Sequence, residues 1–392
     1  MEKELNILAP VRYPWRFNGP RNSKHNISNR YFAPLNKISR NIEGATVFNP
    51  FPLKRFDLIH GFNRIPIGTT PYIIGFESHL PRAFCIEHTK LFAAMAKSLS
   101  GNRCRGIVAI SEYAKRLFLN QHENRPWFPE LAEKLIVRYP NIHVPDTPDQ
   151  YIPRISKSIH LLFVGNHFGR KGGTAVVRLA EKAHKAGLPV HVEIISTLEV
   201  GACSWVDPRR TEYFDSYFEL MNTLPNVSLT KGLPNIGVIK KVITSDFVLL
   251  PTFADTFGFS VIEAMANHTP VIATNQGALG EFIVDNKNGF LLDLDTDNGD
   301  WVHTCAKNRD TLAYETLFTE ETERLADQML AKIEYVLNGA VNYTQMRVEA
   351  HNTAKRMFCS KDADMFWDNL YEQAVSSACP LPLKAPDHVL LS

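Results

Sequence analysis

The feature of this chain that most constrains its fold is a repeated alternation of short apolar runs with helical patterns. In the second half, SIHLLFVG (158–165) and VHVEIIST (190–197) are typical of buried strands, and GTAVVRLAEKAHKAG (173–187) predicts a helix that ends at its glycine. The runs NVSLTKGL, DFVLLPT and PVIATN continue the strands, with IGVIKKVITS and FSVIEAMANH as helices between them. Such alternation predicts an α/β domain with a mostly parallel sheet covered on both faces.

The first half shows the same alternation. FDLIHGF, PYIIGFE, RGIVAIS and KLIVRYP predict strands, and helical patterns such as IEHTKLFAAMAKSL and SEYAKRLFLNQH lie between them. Ser111 precedes the second of these helices, where its hydroxyl can accept a hydrogen bond from a free backbone amide. Because 392 residues exceed one ordinary core, the chain is expected to contain two doubly wound domains.

A proline-rich passage separates the two series. HVPDTPDQYIPR (143–154) predicts the interdomain linker, so we place the first domain at 1–152 and the second at 153–345. The remaining residues, 346–392, contain helical patterns and no further strand signal. These terminal helices must cover either part of the second domain or part of the first.

Composition points to a folded protein that does not span a membrane. Hydrophobic residues make up 44% of the chain, but no apolar run reaches the roughly 18 to 20 residues of a membrane span, and MEKELNILAPVRY lacks a signal-peptide core. We therefore expect a cytoplasmic protein with reduced thiols, because its six cysteines form no metal-type or disulfide-type spacing. They are Cys85, Cys104, Cys203, Cys305, Cys359 and Cys379.

Charge is unevenly distributed although the net charge is only +2. Residues 1–155 contain 22 Lys/Arg and 12 Asp/Glu, a net +10, and the remainder contains 21 and 29, a net −8. The basic half is consistent with an anionic partner, either a phosphate-bearing acceptor or an acidic membrane surface, or with a solvated basic face. We expect no nucleic-acid partner.

Two strand-to-helix junctions in the second domain are candidate ligand sites, because open α/β sheets bind ligands at the carboxyl ends of their strands. The first is FVGNHFGRKGGT (163–174), where four glycines permit close backbone approach and Arg170 and Lys171 bring positive charge to the mouth of a helix. This pattern favours a diphosphate clamp. A glycine-containing turn with two solvated cations is the alternative.

The second junction is LLPTFADTFGFSVIEAMANH, which contains two acids eight residues apart, Asp255 and Glu263. Asp255 is expected in the loop with its carboxylate facing the crevice. Glu263 has apolar helix neighbours on every side, and a carboxylate there is costly unless it accepts hydrogen bonds. A ribose diol or a protein group could donate them. The amides of the helix start, at Gly258, Phe259 and Ser260, are expected to add an anion-binding nest.

The combined pattern resembles retaining nucleotide-sugar glycosyltransferase family 4, whose members have the two-domain GT-B fold. DTFGFSVIEAMANHTPVIATNQGALGEFI carries most of the resemblance, FVGNHFGRKGG resembles that family's phosphate loop, and IVAISEYAKRLF resembles an element near the end of its first domain. The similarity spans roughly residues 56–293 and is strongest in the second domain. It implies two Rossmann-like domains that face each other across a cleft, with the last helix, near Phe366, crossing back onto the first.

The resemblance also implies roles for individual residues. Glu263 would hold the ribose, Asp255 would face the donor sugar, and Lys171 would bind the diphosphate. Gly258, Phe259 and Ser260 would contact sugar and phosphate through their amides. The remaining donor-site positions are the loop residues Gly165 and Asn166, and Gly232 and Leu233 beside the base.

The chain departs from the family pattern at several positions. The first acid is Asp255 rather than glutamate, and Asn166 stands where arginine is common, so Arg170 is expected to supply the missing charge. Where a histidine often follows the strand ending PYIIGF, this chain has Glu77. His79 and His60 are the nearby histidines that could approach the donor sugar.

A glycine-containing loop in the first domain completes the candidate site. YPWRFNGPRNSKHN (13–26) is the best match to the glycine loop that the family has in its first domain. Its cations, Arg16, Arg21 and Lys24, suit a loop that faces an anion.

The resulting hypothesis is transfer of a hexose-type sugar from a nucleotide diphosphate sugar to a hydroxyl acceptor, with retention at the anomeric carbon. The acceptor would be a glycan, a lipid-linked saccharide or a small molecule. The leaving diphosphate would be stabilised by Arg170, Lys171 and the helix start, so no metal or other cofactor is expected. A sugar-nucleotide epimerase or hydrolase on the same fold and a non-catalytic sugar-nucleotide-binding subunit are the alternatives.

Overall fold

The computed structural model contains two compact units. Unit 1 comprises Met1–Ile142 and Met357–Ser392, and unit 2 comprises His143–Arg356. The domain boundary predicted at 152/153 and the linker after residue 146 lie outside the described residues, as do Cys85 and Cys379. The described residues are 3–11, 13–33, 35, 42–51, 53–83, 86–146 and 158–376.

Unit 1 is built on a six-stranded parallel sheet with the strand order β2-β1-β4-β6-β7-β8. The four runs that predict strands in this half form β4, β6, β7 and β8, whereas β1 and β2 lie in a stretch whose sequence did not predict strands. The strands of unit 1 are β1 (Asn6–Pro10), β2 (Asn26–Arg30), β3 (Ala45–Thr46), β4 (Leu58–Phe62), β5 (Ile65–Pro66), β6 (Tyr72–Phe76), β7 (Cys104–Ala109) and β8 (Leu135–Val137).

Capped helices connect these strands. Ser111 is the N-cap of α3, as predicted, and its hydroxyl accepts a hydrogen bond from the Ala114 amide at 3.0 Å. Thr89 caps α2 in the same way through the Phe92 amide. The helices of this segment are α1 (Tyr13–Phe17), α2 (Lys90–Ser100), α3 (Glu112–His122) and α4 (Phe128–Glu133).

Unit 2 is also doubly wound, and its six parallel strands have the order β11-β10-β9-β12-β13-β14. Every residue of β12 and β13 is buried, as expected for central strands covered on both faces. The chain runs through β9 (Ile159–Val164), α5 (Gly173–Lys185), β10 (Val190–Ile195), α6 (Asp215–Thr223), β11 (Val227–Thr230), α7 (Asn235–Thr244), β12 (Phe247–Leu250), α8 (Phe259–Ala266), β13 (Val271–Thr274) and β14 (Gly289–Leu292).

The rest of unit 2 is a small antiparallel pair followed by helices. These elements are β15 (Thr296–Asp297), β16 (Asp300–Trp301), α9 (Leu312–Leu337) and α10 (Tyr343–Phe358). The last helix, α11 (Ser360–Ser376), belongs to unit 1, where Trp367 and Tyr371 are buried in one apolar cluster with residues of the sheet. Within the described residues, no helix combines the length and the apolar character needed to cross a bilayer.

Candidate active site

The loop between β9 and α5 is fixed by close backbone packing. Gly172 adopts a φ of +82°, and a Cβ at this position would lie 1.9 Å from the Pro251 carbonyl oxygen, so only glycine fits. Its amide donates to the Gly169 carbonyl at 2.9 Å, and the Gly173 amide donates to the Phe168 carbonyl at 2.8 Å. These glycines therefore bring the two candidate loops together, a role the sequence did not reveal.

Arg170 is part of that loop-to-loop contact. Its side chain is buried, its guanidinium donates to the Ala254 carbonyl, and its carbon Cζ lies 4.9 Å from the Trp205 ring centroid. The Arg170 carbonyl in turn accepts from the Phe253 amide at 2.9 Å and from the Thr252 hydroxyl at 3.0 Å. The expectation that Arg170 presents its charge at the loop mouth is wrong, because the guanidinium is buried against Ala254 and Trp205.

Lys171 and Asp255 form an ion pair between the two loops. Lys171 Nζ donates to Asp255 Oδ2 at 2.8 Å, and the two side chains are 19% and 12% exposed. The other carboxylate oxygen, Oδ1, accepts from the Phe257 amide at 3.2 Å and from the Gly258 amide at 3.1 Å. Asp255 is therefore largely buried, and the expectation of an exposed carboxylate in the crevice is wrong in that respect.

The electrostatic surroundings keep Asp255 ionised. Burial raises the pKa of this carboxyl, but Lys171, Arg170 and the Phe257 amide outweigh burial and hold the pKa well below its usual range. The Asp255 amide donates to the Gln276 side-chain oxygen at 2.6 Å. Gln276 is a positioning residue that sequence reasoning missed, although its place two residues after β13 put it at the same edge of the sheet.

Glu263 occupies a half-buried position on α8, between apolar neighbours that are fully buried. Its Oε1 accepts one hydrogen bond, from the Asn235 side-chain amide at 3.2 Å, and in the described part of the chain no cation pairs with it. Burial raises the pKa of the Glu263 carboxyl, and the Asn235 hydrogen bond only partly offsets this effect. One protein donor thus contributes, but the carboxylate keeps acceptor capacity for a ligand.

The turn before α7 lies beside Glu263 because Asn235 is the first residue of that helix. Gly232 has a φ of +72° and is exposed, and Leu233 is half-buried. The structure therefore connects the position expected to hold the base with the position expected to hold the ribose, through the Asn235 hydrogen bond.

The start of α8 is partly satisfied by the chain itself. The Gly258 amide donates to Asp255, so it is not free for an anion as the sequence suggested. Phe259 begins the helix, and its ring lies 5.4 Å from that of Phe257. Ser260 has a buried hydroxyl oxygen with no hydrogen-bond partner among the described residues.

The predicted residues of the first domain lie in unit 1. Glu77 directly follows β6 and is held by Arg82 at 2.8 Å and by Asn63, whose side chain exchanges two hydrogen bonds with Glu77. His79 is half-buried two residues further along. Burial lowers the pKa of the His122 imidazole, and the charges of Arg125 and His79 lower it further.

His60 is an interior residue of unit 1. Its ring lies 4.4 Å from the Trp367 ring centroid, Nδ1 lies 2.8 Å from the Tyr371 hydroxyl, and burial lowers the pKa of the imidazole to about 3. The prediction that His60 could approach a donor sugar is wrong, since the side chain is enclosed by Trp367 and Tyr371 of α11.

The glycine-containing loop of unit 1 lines a pocket of about 460 Å³. Arg16 is exposed at this pocket. The loop amides, however, bind carboxylates of α11: Asp364 Oδ1 accepts from the amides of Arg21 and Asn22 at 2.5 and 3.0 Å. One turn further along α11, Asp368 accepts from the Lys24 amide at 2.9 Å. The loop does face anions, but these anions belong to the protein.

Comparisons with known proteins agree with this architecture. Residues 153–304 match the family model described as "Glycosyl transferases group 1". Over this segment the chain is similar to group 1 glycosyltransferases. A D-inositol 3-phosphate glycosyltransferase of Pseudarthrobacter chlorophenolicus is 24% identical over 197 residues, which cover 50% of this chain and 43% of that protein. The chain thus aligns with less than half the length of this curated relative.

Solved structures extend the likeness beyond this matched segment. A glycosyltransferase from Rickettsia africae aligns over 95% of this chain and 99% of its own, with 13% identity and a TM-score of 0.58. Anabaena Alr3699/HepE in complex with UDP aligns over 94% and 100%, with 14% identity and the same TM-score. The predicted GT-B fold, with two Rossmann-like units, is confirmed.

Proposed function

We propose that this protein is a retaining glycosyltransferase that moves a hexose-type sugar from a nucleotide diphosphate sugar to a hydroxyl of a saccharide, lipid-linked or small-molecule acceptor. The observation that carries this proposal is the position of Lys171. Lys171 directly precedes Gly172, the N-cap of α5, and its ammonium donates a hydrogen bond to the Asp255 carboxylate at 2.8 Å. A fixed cation at a helix start is suited to a diphosphate.

The proposed reaction depends on charge that develops on the leaving group. As the bond between the anomeric carbon and the phosphate oxygen breaks, the diphosphate gains negative charge, and Lys171 and the start of α5 stabilise it. The acceptor hydroxyl oxygen bonds to the anomeric carbon from the face that the diphosphate leaves, which retains the configuration, and the hydroxyl proton passes to the departing phosphate oxygen. Arg170 acts indirectly, because it holds Ala254 and thereby the backbone next to Asp255. No step of this reaction requires a metal ion.

Glu263 is assigned to the ribose of the donor. Its carboxylate is desolvated, accepts only a single neutral hydrogen bond that the structure describes, and lies beside the turn that contains Gly232 and Leu233. Two vicinal hydroxyls would satisfy its remaining acceptor capacity. Ser260, whose hydroxyl is unsatisfied in the described structure, is assigned to the same ligand.

The test is nucleotide binding to a Glu263→Gln variant, measured by calorimetry. UDP is the first probe because the Anabaena neighbour was solved with it, followed by GDP and ADP. Loss of charged hydrogen bonds to two hydroxyls should weaken binding about tenfold to a hundredfold. The variant should remain at least as stable as the parent, since burial disfavours the carboxylate form. Glu219→Gln, an exposed acid on α6, is the matched control.

Unchanged affinity in Glu263→Gln would refute the ribose assignment. Failure to bind any of the three nucleotides would favour a non-catalytic role instead. Incubation with a nucleotide sugar in the absence of acceptor separates a transferase from the other two enzyme classes. Formation of an epimer would indicate an epimerase, and rapid release of free sugar would indicate a hydrolase.

We also propose that the protein acts in the cytoplasm, with the basic first half in peripheral contact with an anionic surface. The net charge of +10 over residues 1–155 supports this proposal. Sedimentation with anionic vesicles should show binding that weakens between low and physiological salt, whereas neutral vesicles should not bind. Equal binding to both vesicle types would contradict it.

A further inference from the structure

Three side chains with metal-ligating atoms converge next to the β9–α5 loop. His167 belongs to that loop, Glu199 follows β10, and Cys203 ends the short 3₁₀ helix Gly201–Cys203. Their ligand atoms all lie within 4.8 Å of one another. None of the three has a role in the proposed transfer reaction.

The two separations measured from His167 are close to those of tetrahedral zinc coordination. His167 Nδ1 lies 3.4 Å from Glu199 Oε2 and 3.9 Å from Cys203 Sγ, so both separations meet at the same nitrogen. Metal bonds of about 2.0 to 2.1 Å to N and O and about 2.3 Å to S give tetrahedral N–O and N–S separations of about 3.3 and about 3.6 Å. Only small side-chain movements would therefore bring these ligands into range.

The backbone holds the two loops in register at this point. The Phe168 amide donates to the Glu199 carbonyl at 2.8 Å, and the Glu199 amide donates to the Asn166 carbonyl at 2.9 Å. These bonds bracket His167 and form an isolated parallel bridge between His167 and Glu199. Two of the ligands are thus neighbours across a hydrogen-bonded bridge, although they are 32 residues apart in the numbering.

The loop that delivers Glu199 is strained. Leu198 adopts a φ of +60°, a conformation that costs a leucine on the order of 1 kcal/mol or more. The strain is maintained by the Ser196 hydroxyl, which accepts from the Leu198 amide at 2.9 Å. Thr197 donates to Glu199 Oε1 at 3.1 Å, which leaves Oε2 directed to His167. Strained backbone of this kind concentrates at ligand sites.

The alternative is an ordinary pair of His167 with Glu199 and a thiol bonded to the Val200 carbonyl at 3.3 Å. Arg170 and Lys171 also act on His167 electrostatically. Arg170 already donates to the Ala254 carbonyl, and Lys171 already donates to the Asp255 carboxylate. An ion pair of His167 with Glu199 does not require the Cys203 thiol, which also contacts His167 Nδ1. Cysteine, histidine and a carboxylate together form the ligand set of zinc rather than of magnesium or calcium.

We propose that His167 Nδ1, Glu199 Oε2 and the Cys203 thiolate form a binding site for Zn²⁺ or a similar borderline-soft divalent cation, with water as the fourth ligand. The thiol proton is released to solvent on binding. This site is separate from the proposed transfer chemistry, which needs no metal.

The test uses the full chain, stripped with a chelator and titrated with Zn²⁺ and Co²⁺. We expect one ion per chain and a thiolate-to-cobalt absorption band. Cys203→Ser should abolish that band, and Cys203→Ser and His167→Gln should each weaken Zn²⁺ binding about tenfold or more. Cys305→Ser, which alters another exposed cysteine of unit 2, should retain both the band and the affinity.

Three results would overturn the proposal: no stoichiometric Zn²⁺ binding, wild-type affinity in both site variants, or loss of the cobalt band in Cys305→Ser. Unchanged circular dichroism shows that each variant is folded, as expected for a substitution at an exposed cysteine. Nucleotide binding by the metal-free chain is measured in parallel. If nucleotide binding persists when Zn²⁺ binding is lost, the metal site and the donor site are separate sites.

Discussion

The ion pair between Lys171 and Asp255 allows a quantitative test of how the two candidate loops are held. Asp255→Asn preserves Oδ1, which accepts from the Phe257 and Gly258 amides, but places a neutral amide next to the lysine. Lys171→Met removes the charge and keeps the side-chain length. The two single variants and the double variant together form a double-mutant cycle.

The expected loss of unfolding free energy follows from the burial of the two side chains. Removal of one partner from a fully buried pair costs about 3 to 5 kcal/mol, but side chains that are 19% and 12% exposed retain some solvation. We therefore expect about 2 to 3 kcal/mol for each single variant and a coupling energy of about 1 to 2 kcal/mol. Asp255→Ala should cost about 1 to 2 kcal/mol more than Asp255→Asn, since two backbone amides also lose their acceptor.

The contribution of Asp255 to the free energy of unfolding changes with pH in one direction. The folded-state pKa of Asp255 is depressed below its unfolded value, so the contribution to stability is fully present above the unfolded pKa of about 4. It is lost progressively as the pH falls from the unfolded pKa to the lower folded pKa. The difference between the parent and Asp255→Asn should thus be constant from pH 7 to pH 5 and should shrink in stronger acid.

Native-state hydrogen exchange is the appropriate assay, because the chain has two units and global unfolding need not be two-state. The peptide containing Phe257 and Gly258 should lose protection in Asp255→Ala and retain most of it in Asp255→Asn. A coupling energy within about 0.5 kcal/mol of zero would refute the argument that the pair holds the loops together.

The same cycle tests the mechanism. If the donor diphosphate takes Lys171 from Asp255, then Asp255→Asn should bind UDP at least as tightly as the parent and still lose turnover. Lys171→Met should lose UDP affinity and turnover together. Lys240→Met, an exposed lysine on α7, should change neither quantity. Equal UDP affinity in Lys171→Met and the parent would exclude the lysine from the diphosphate site.

Three further predictions concern stability. Gly172→Ala should destabilise unit 2 by about 3 kcal/mol or more, seen as a lower melting temperature, because its Cβ would meet the Pro251 carbonyl at 1.9 Å. Burial raises the pKa of Asp207 to about 6, so its folded form binds more protons than the unfolded chain and stability falls as pH rises from about 4 to about 6. The stability difference between the parent and Asp207→Asn should change by about 3 kcal/mol over that range in urea titrations, and a flat difference would contradict the shift. Asp364→Ala should expose the unit 1 loop to faster hydrogen exchange, since two loop amides lose their acceptor.

Features set by local sequence were predictable. The Ser111 cap depends on an amide only three residues away. The strands with apolar runs and the helices that end at a glycine could be predicted because each pattern lies within one element. The short strands β1 and β2 were missed. β2 is half-exposed and polar and carries no apolar alternation, whereas β1 is a buried strand of five residues that ends at a proline.

The roles of the site residues depended on partners that are distant in sequence. Lys171 and Glu263 were placed because ligands of open α/β sheets bind where strands lead into helices. The burial of Arg170 depends instead on Ala254 and Trp205, which no local sequence pattern connects to it. Asp255 was likewise expected to face the crevice because it lies in the loop that follows a strand. Its actual surroundings come from another loop, 84 residues earlier.

The N-terminal loop of unit 1 shows why sequence patterns can identify the right chemistry and the wrong partner. Glycine, arginine and lysine in one loop do indicate an anion, and the loop amides do bind carboxylates. Asp364 and Asp368, one turn apart on α11, supply them from more than 340 residues further along the chain. Since the loop amides of Arg21, Asn22 and Lys24 are occupied in this way, an acceptor anion in this pocket would have to be bound by side chains such as Arg16 rather than by the backbone.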